Sequence, residues 1–312
     1  MHRPHRLALA ALLVASLGAA PPPGATGSGA SSAPKHTGRT GLVRFRYEEP
    51  KNPAHRALYD HLRELKVLEK FSELLGTIRL PRPLTLRFAG CDGTSNAWYE
   101  TEDQTVTFCY ELVSDTERAA AGAPRVGIPK EDALDGPVVY VLLHESGHAI
   151  FHLLQVPILG REEDAADQFA AHVLLQAGNV LARRVLGGAA WMYKHDASGR
   201  SLDESDYADV HGLDVQRFYN VLCMAYGADA KEFGGLVEKG YLPSDRAEGC
   251  ADEYEQVRFA VRTLISPSLD PKAAKRTFTK LRSRWSKPPA AAPGTPGDAA
   301  GPRAPAPAPA NK

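Results

Sequence analysis

Residues 144–148 read His-Glu-Ser-Gly-His. On a helix, positions four apart lie on one face about a turn from each other, so the imidazoles of His144 and His148 can bind one metal ion. Glu145 stands beside that ion, where a carboxylate can take a proton from an activated water. The surrounding stretch, PVVYVLLHESGHAIFHLL at 137–154, otherwise suits a buried helix, with Val138, Val139, Val141, Leu142, Ile150 and Leu153 supplying its packing surface. Polar groups carried into such an interior cost free energy unless something pairs with them.

Catalytic zinc sites use three protein ligands and leave one position open. A third ligand is available where Pro157 and Gly160 turn the chain back into Arg161-Glu162-Glu163-Asp164-Ala165-Ala166-Asp167. Glu163 and Asp167 are four apart and share a face. Glu163 is assigned as third ligand, and Asp167 as the carboxylate that accepts the free N–H of His144, as such sites require. Glu162 and Asp164 are accounted for by the preference of acidic side chains for a helix's first turn. His152 lies on the same stripe as His144 and His148 but about 5.4 Å further along, too far to share their ion. It is expected to be a packed or capping histidine.

These residues need elements to position them. Leu58, Leu62, Leu65, Leu68, Phe71 and Leu75 recur at three- and four-residue steps and predict an amphipathic helix over 53–75. LTLRF (84–88), a segment from Asn96 to Tyr99 and one from Val106 to Tyr110 read as short strands, together a small antiparallel sheet. Pro137 is suited to open the motif helix, and a second helix follows from Arg161 to Gly178. Further helices are expected after Leu213 and from about 247 to 264. The fold class is α+β and mostly helical.

The 312 residues carry 37 basic and 37 acidic side chains with no long run of either sign, which argues against nucleic acid or anionic lipid as the main partner. MHRPHRLALAALLVASLGAA (1–20) has the basic flank, short apolar run and small residues of a secretory signal peptide, so a secreted or periplasmic location is expected and no membrane span in the mature chain. Residues 21–40 and 287–312, rich in Pro, Ala, Gly and Ser, cannot bury enough surface to offset their ordering entropy. One folded domain, 41–286, remains. In an oxidising compartment the four cysteines are expected to form disulfides, and of the three pairings the local ones, Cys91–Cys109 and Cys223–Cys250, are preferred. No close-spaced cysteine pair supports a cysteine zinc site.

With HESGHA followed by Glu-x-x-x-Asp on the next helix, the sequence resembles the gluzincin, or thermolysin-like, branch of the zincins. GREEDAADQ, NAWY, the segment ending in CYEL, and QRFYNVLCMAYG resemble more closely a bacterial family of secreted metallopeptidases, over most of residues 41–265. The resemblance implies one zinc ion, a peptide or protein substrate, and an edge strand that binds it as an added strand. Asn96, Ala97 and Trp98 match that strand, although Asn96 equally suits a cap on the loop after Cys91. It also implies an oxyanion donor from the later helical part, for which His211 is the candidate and Tyr219 the second; a surface histidine is the alternative for His211. The expected chemistry is zinc-dependent peptide hydrolysis with Glu145 as general base. Its rivals are a non-catalytic zinc protein of the cell envelope and a hydrolase of a non-peptide amide.

Overall fold

The computed structural model describes residues 38–284. The proposed signal peptide, most of the 21–40 linker and the 287–312 tail lie outside them. The last linker residues are described, and Arg39 forms an isolated bridge with Leu80.

Four strands, β1 (Val43–Tyr47), β2 (Leu84–Ala89), β3 (Ala97–Glu100) and β4 (Thr105–Cys109), form one sheet in the order β1-β2-β4-β3. β1 and β4 run parallel to β2, and only β3 is antiparallel to its neighbour. The sheet is therefore mixed, not the small antiparallel sheet expected. Strand β1, which sequence periodicity missed because VRFRY is mostly exposed, joins by a helical crossover, and such a connection delivers parallel strands. β3 does lie at an edge. β4, expected to alternate, is buried at every position.

The crossover is two helices, α1 (Arg56–Glu64) and α2 (Val67–Leu75), where one was expected. The break falls at Lys66, whose φ is 53°. Tyr47 Oη on β1 accepts from the Leu68 N–H at 2.8 Å and donates to Glu69 at 2.7 Å, so the sheet itself satisfies the start of α2.

After α3 (Tyr110–Ala120), the long helix α4 (Lys130–Leu154) runs through the core. It begins seven residues before Pro137, which lies inside it and does not open it. Glu131 and Asp132 in the first turn and Pro129 before it supply the actual start signals. Helices α5 (Glu162–Ala177) and α6 (Asn179–Asp196) pack on α4, followed by the short α7 (Glu204–Ala208) and by α8 (Asp214–Ala228). Three single-turn helices, α9 (Ala230–Phe233), α10 (Gly235–Glu238) and α11 (Ser244–Ala247), lead to α12 (Cys250–Leu264) and α13 (Pro271–Arg284). Disulfides join Cys91 to Cys109 and Cys223 to Cys250, the pairings expected, and suit an oxidising compartment. No helix among the described residues is long and apolar enough to cross a membrane.

Helices α4 and α6 meet through glycines. A Cβ on Gly188 would lie 2.0 Å from the Asp132 carbonyl oxygen, and one on Gly136 would lie 2.8 Å from the Gly188 Cα. Gly188→Ala is expected to destabilise the protein by about 1–3 kcal/mol or more, read from urea unfolding, because main chain rather than a flexible side chain must move.

His172 on α5 is buried, and its Nδ1 has no hydrogen-bond partner. Burial, helped by the charge of Arg258, pushes its pKa down to about 4 from 6.5. Below its ordinary pKa the unfolded chain takes a proton that the native imidazole refuses. The stability is thus present above about pH 6.5 and falls, by about 1.4 kcal/mol per unit at most, as pH drops towards 4. Unfolding midpoints measured across that window should show this slope in the wild type and a shallower one in His172→Phe.

Candidate metal centre

Helix α4 carries His144, Glu145 and His148, and α5 returns against it carrying Glu162, Glu163 and Asp167. The reversal uses Gln155 at φ 53° and Gly160 at φ 101°, and the close approach uses Gly147, where a Cβ would meet the Ala166 Cα at 3.4 Å and the Phe169 ring at 3.2 Å. The glycine inside the motif thus lets α5 bring its carboxylates up to the histidines.

The Nε2 atoms of His144 and His148 lie 3.2 Å apart. Glu163 Oε2 is 3.1 Å from the first and 3.3 Å from the second. Behind them, His144 Nδ1 is 2.8 Å from Asp167 Oδ1 and His148 Nδ1 is 2.7 Å from Glu162 Oε1. An ionised carboxylate only accepts, so each Nδ1 carries the proton and, in the neutral ring, each Nε2 turns its lone pair inward. Three electron-pair donors then face one point at nearly equal spacing, and that is unfavourable unless a proton or a metal ion sits among them. Atoms held about 2.0–2.1 Å from a tetrahedral zinc ion are about 3.3 Å apart, so the set fits such an ion.

The electrostatics agree. Burial opposes charge on His144, but hydrogen bonds to Asp167 and Glu163 outweigh it and raise its pKa. The same balance, through Glu163 and Glu162, takes His148 to about 9. Glu163 is half-buried, yet His144, His148 and His211 hold its carboxyl far below the usual range. The cluster attracts positive charge, as protons on its histidines or as a metal ion.

Glu145 is 8% exposed and its carboxylate has no hydrogen bond to another described residue. Burial raises its pKa against the pull of His144 and His148, as suits a group that gains and loses a proton.

Asp167 is the hub behind the cluster. Besides His144 it accepts from Arg217 Nε and Nη2, both at 2.8 Å. Arg217 on α8 lies over the Tyr193 ring, 4.4 Å from its centroid, and Tyr140 Oη donates to the Asp167 carbonyl at 3.2 Å. None of Arg217, Tyr193 or Tyr140 was evident in the sequence, because nothing in the spacing links 140, 167, 193 and 217. Glu162 was read as a first-turn acid alone, and the structure corrects that by setting it against His148.

The structure brings His211 to the cluster. Its Nε2 is 2.9 Å from Glu163 Oε2 and its Nδ1 is 2.9 Å from Asp209 Oδ1. Its carbonyl accepts from Arg161 at 3.3 Å. His144, Glu163 and His211 offer ligand atoms within 4.8 Å of one another. Tyr219 is not brought in; its ring packs on Phe218 and lines a separate depression with Arg161 and Gly212. His152 is exposed and ties the end of α4 to the edge strand, its Nδ1 2.8 Å from Tyr99 Oη. Asn96 starts that strand, its Oδ1 accepting from Ala97 N at 2.9 Å and its carbonyl from Cys109 N at 3.1 Å. Ala97 is buried and Trp98 half-buried on β3. A cleft of about 710 Å³ is lined by Tyr99 and Thr101 at the edge strand and its end, and by His148 and Glu162 from the cluster.

Residues 47–265 match the model of a protein family described as "Putative metallopeptidase". The chain belongs to that family. No curated protein and no solved structure matches it. Membership in a metallopeptidase family implies a metal ion and the hydrolysis of peptides, and His144, Glu163 and His211 are grouped closely enough to hold an ion.

Arg217→Met should leave the Asp167 carboxylate buried without its countercharge and cost about 3–5 kcal/mol, read from the thermal midpoint. Adding Asp167→Asn, which removes the stranded charge, should recover part of that loss.

Proposed function

We propose that this member of the family is a zinc-dependent peptidase of the zincin type, with His144, His148 and Glu163 as the ligands. The observation that carries the reading is the near-equilateral triangle of His144 Nε2, His148 Nε2 and Glu163 Oε2, with sides of 3.1–3.3 Å, beside a buried carboxylate with no partner. A divalent ion held there supplies Lewis acidity, polarising a carbonyl and making water acidic enough to yield a proton near neutral pH.

The chain's own groups do the rest. Glu145 takes the proton and passes it to the leaving amine, a task for which a raised pKa is suited. Asp167 and Glu162 fix the two ligand rings, so that Nε2 of each faces inward. His211, with a carboxylate on each ring nitrogen, is held as a cation whose Nε2–H would turn from Glu163 to an oxygen on which charge develops beside it. The edge strand β3, with Asn96, Ala97 and Trp98, takes the peptide backbone as an added strand. The leader 1–20 directs export, and residues 41–286 form the catalytic domain.

A closed structural site is the weaker reading. Such sites fill four positions with protein ligands, usually including cysteine, and here all four cysteines are in disulfides. A buried carboxylate would also stand beside such a site with no task.

Glu145→Gln should retain one equivalent of zinc by elemental analysis and lose peptide cleavage, read by mass spectrometry of a diverse peptide mixture. Loss of zinc in that variant would sink the general-base role. Asp167→Asn should weaken zinc binding by about 10–100-fold in chelator competition; unchanged affinity would place Asp167 outside the metal's support.

A further inference from the structure

The cleft beside His148 has one charged side chain with no partner. Arg82 lines it, is exposed, and makes no ion pair or hydrogen bond with any other described residue. The other arginines near the centre are engaged: Arg217 with Asp167, Arg200 with Asp206, and Arg161 with the His211 carbonyl. The acid on the cleft wall, Glu162, is held by His148 at 2.7 Å. Among the side chains that line the cleft, Arg82 therefore holds the positive charge that no ion pair engages, close to the edge strand on which a peptide would lie.

The placement of Arg82 is fixed by its neighbours. It stands between Pro81 and Pro83, immediately before β2. Proline fixes φ and has no N–H to donate, so the arm leaves from a stiff, unpaired stretch of main chain. Its charge reaches Tyr99 on β3, where burial pushes the hydroxyl up to about 12, the guanidinium pulls the other way, and the charges of Asp103 and Glu100 add to the rise. Tyr99 is itself anchored to His152 at 2.8 Å. All three side chains line the cleft.

We infer that Arg82 is a specificity determinant that selects peptides presenting a carboxylate to this cleft. The deduction rests on the peptidase reading of the centre. A planar guanidinium pairs with a carboxylate through two parallel hydrogen bonds, and a substrate filling the cleft displaces water from around the pair and strengthens it. The carboxylate has two sources in a peptide, an Asp or Glu side chain at one fixed position from the cut, or the free C-terminus.

The test uses the zinc-loaded chain with Arg82→Ala and Arg82→Glu variants. Each digests a diverse peptide mixture prepared with free and with amidated C-termini, read by mass spectrometry. The wild type should favour carboxylate-bearing peptides by roughly tenfold in kcat/KM, the effect of one charge-assisted pair. Arg82→Ala should lose that preference through KM, and Arg82→Glu should shift it towards Lys and Arg. A preference abolished by amidation assigns the C-terminus; one that persists assigns a side chain. A wild type without a carboxylate preference, or a cleavage pattern shared by wild type and Arg82→Glu, overturns the inference. Fluorescence anisotropy in the Glu145→Gln background, with a labelled Glu-rich peptide and its Gln analogue, separates the two readings. Tighter binding of the acidic peptide that Arg82→Glu removes, with no cleavage by the wild type, supports Arg82 and sinks the peptidase reading alone. Equal binding of the two peptides overturns the role of Arg82.

Discussion

Three electron-pair donors held 3.1–3.3 Å apart with a carboxylate behind each imidazole is the constraint on which the rest of this structure depends. Left to themselves such groups repel, and burial makes the repulsion worse by removing water. The arrangement is stable only with positive charge at its centre and rigid elements at its back. The fold supplies the second: α4 crosses the core, and α5 is locked against it where Gly147 admits Ala166.

The support extends well beyond the histidines. Asp167 holds His144, Arg217 holds Asp167, and Tyr193 and Tyr140 close around the pair, so that α4, α5, α6 and α8 meet at one buried charge network. Each charge in it is satisfied by at least one opposite charge or donor, the condition under which a buried network rigidifies a site instead of weakening it. Gly136 and Gly188 bring α4 and α6 together, and α6 carries Tyr193. On the solvent side the constraint relaxes. His211 stands on an exposed segment where Leu202, Tyr207 and Val210 show their side chains to water, and there a group can reach the centre without being bound into the core.

The sequence by itself determined that His144 and His148 share one helix face and Glu163 and Asp167 another. His144, His148, Glu163 and Asp167 obey the four-residue spacing of a helix face, a local property that survives whatever the helices pack against. The turn at Pro157 and Gly160 and the local cysteine pairings were legible for the same reason. Strand β3 was also readable from turn residues on either side, and its edge position was implied by the family resemblance.

Tertiary structure decided the remainder. Strand β1 carries too few buried positions to leave a periodic trace, so the parallel part of the sheet came only from its pairing with β2. Pro137 reads as a helix start by local preference, yet α4 begins earlier because its first turn is set by Glu131 and Asp132. Glu162 looks like any first-turn acid until α5 is laid against α4 and its carboxylate meets His148. Arg217 and Arg82 are arginines among many in the chain. What sets them apart is a contact made and a contact lacking across long separations in sequence, and no local spacing encodes either.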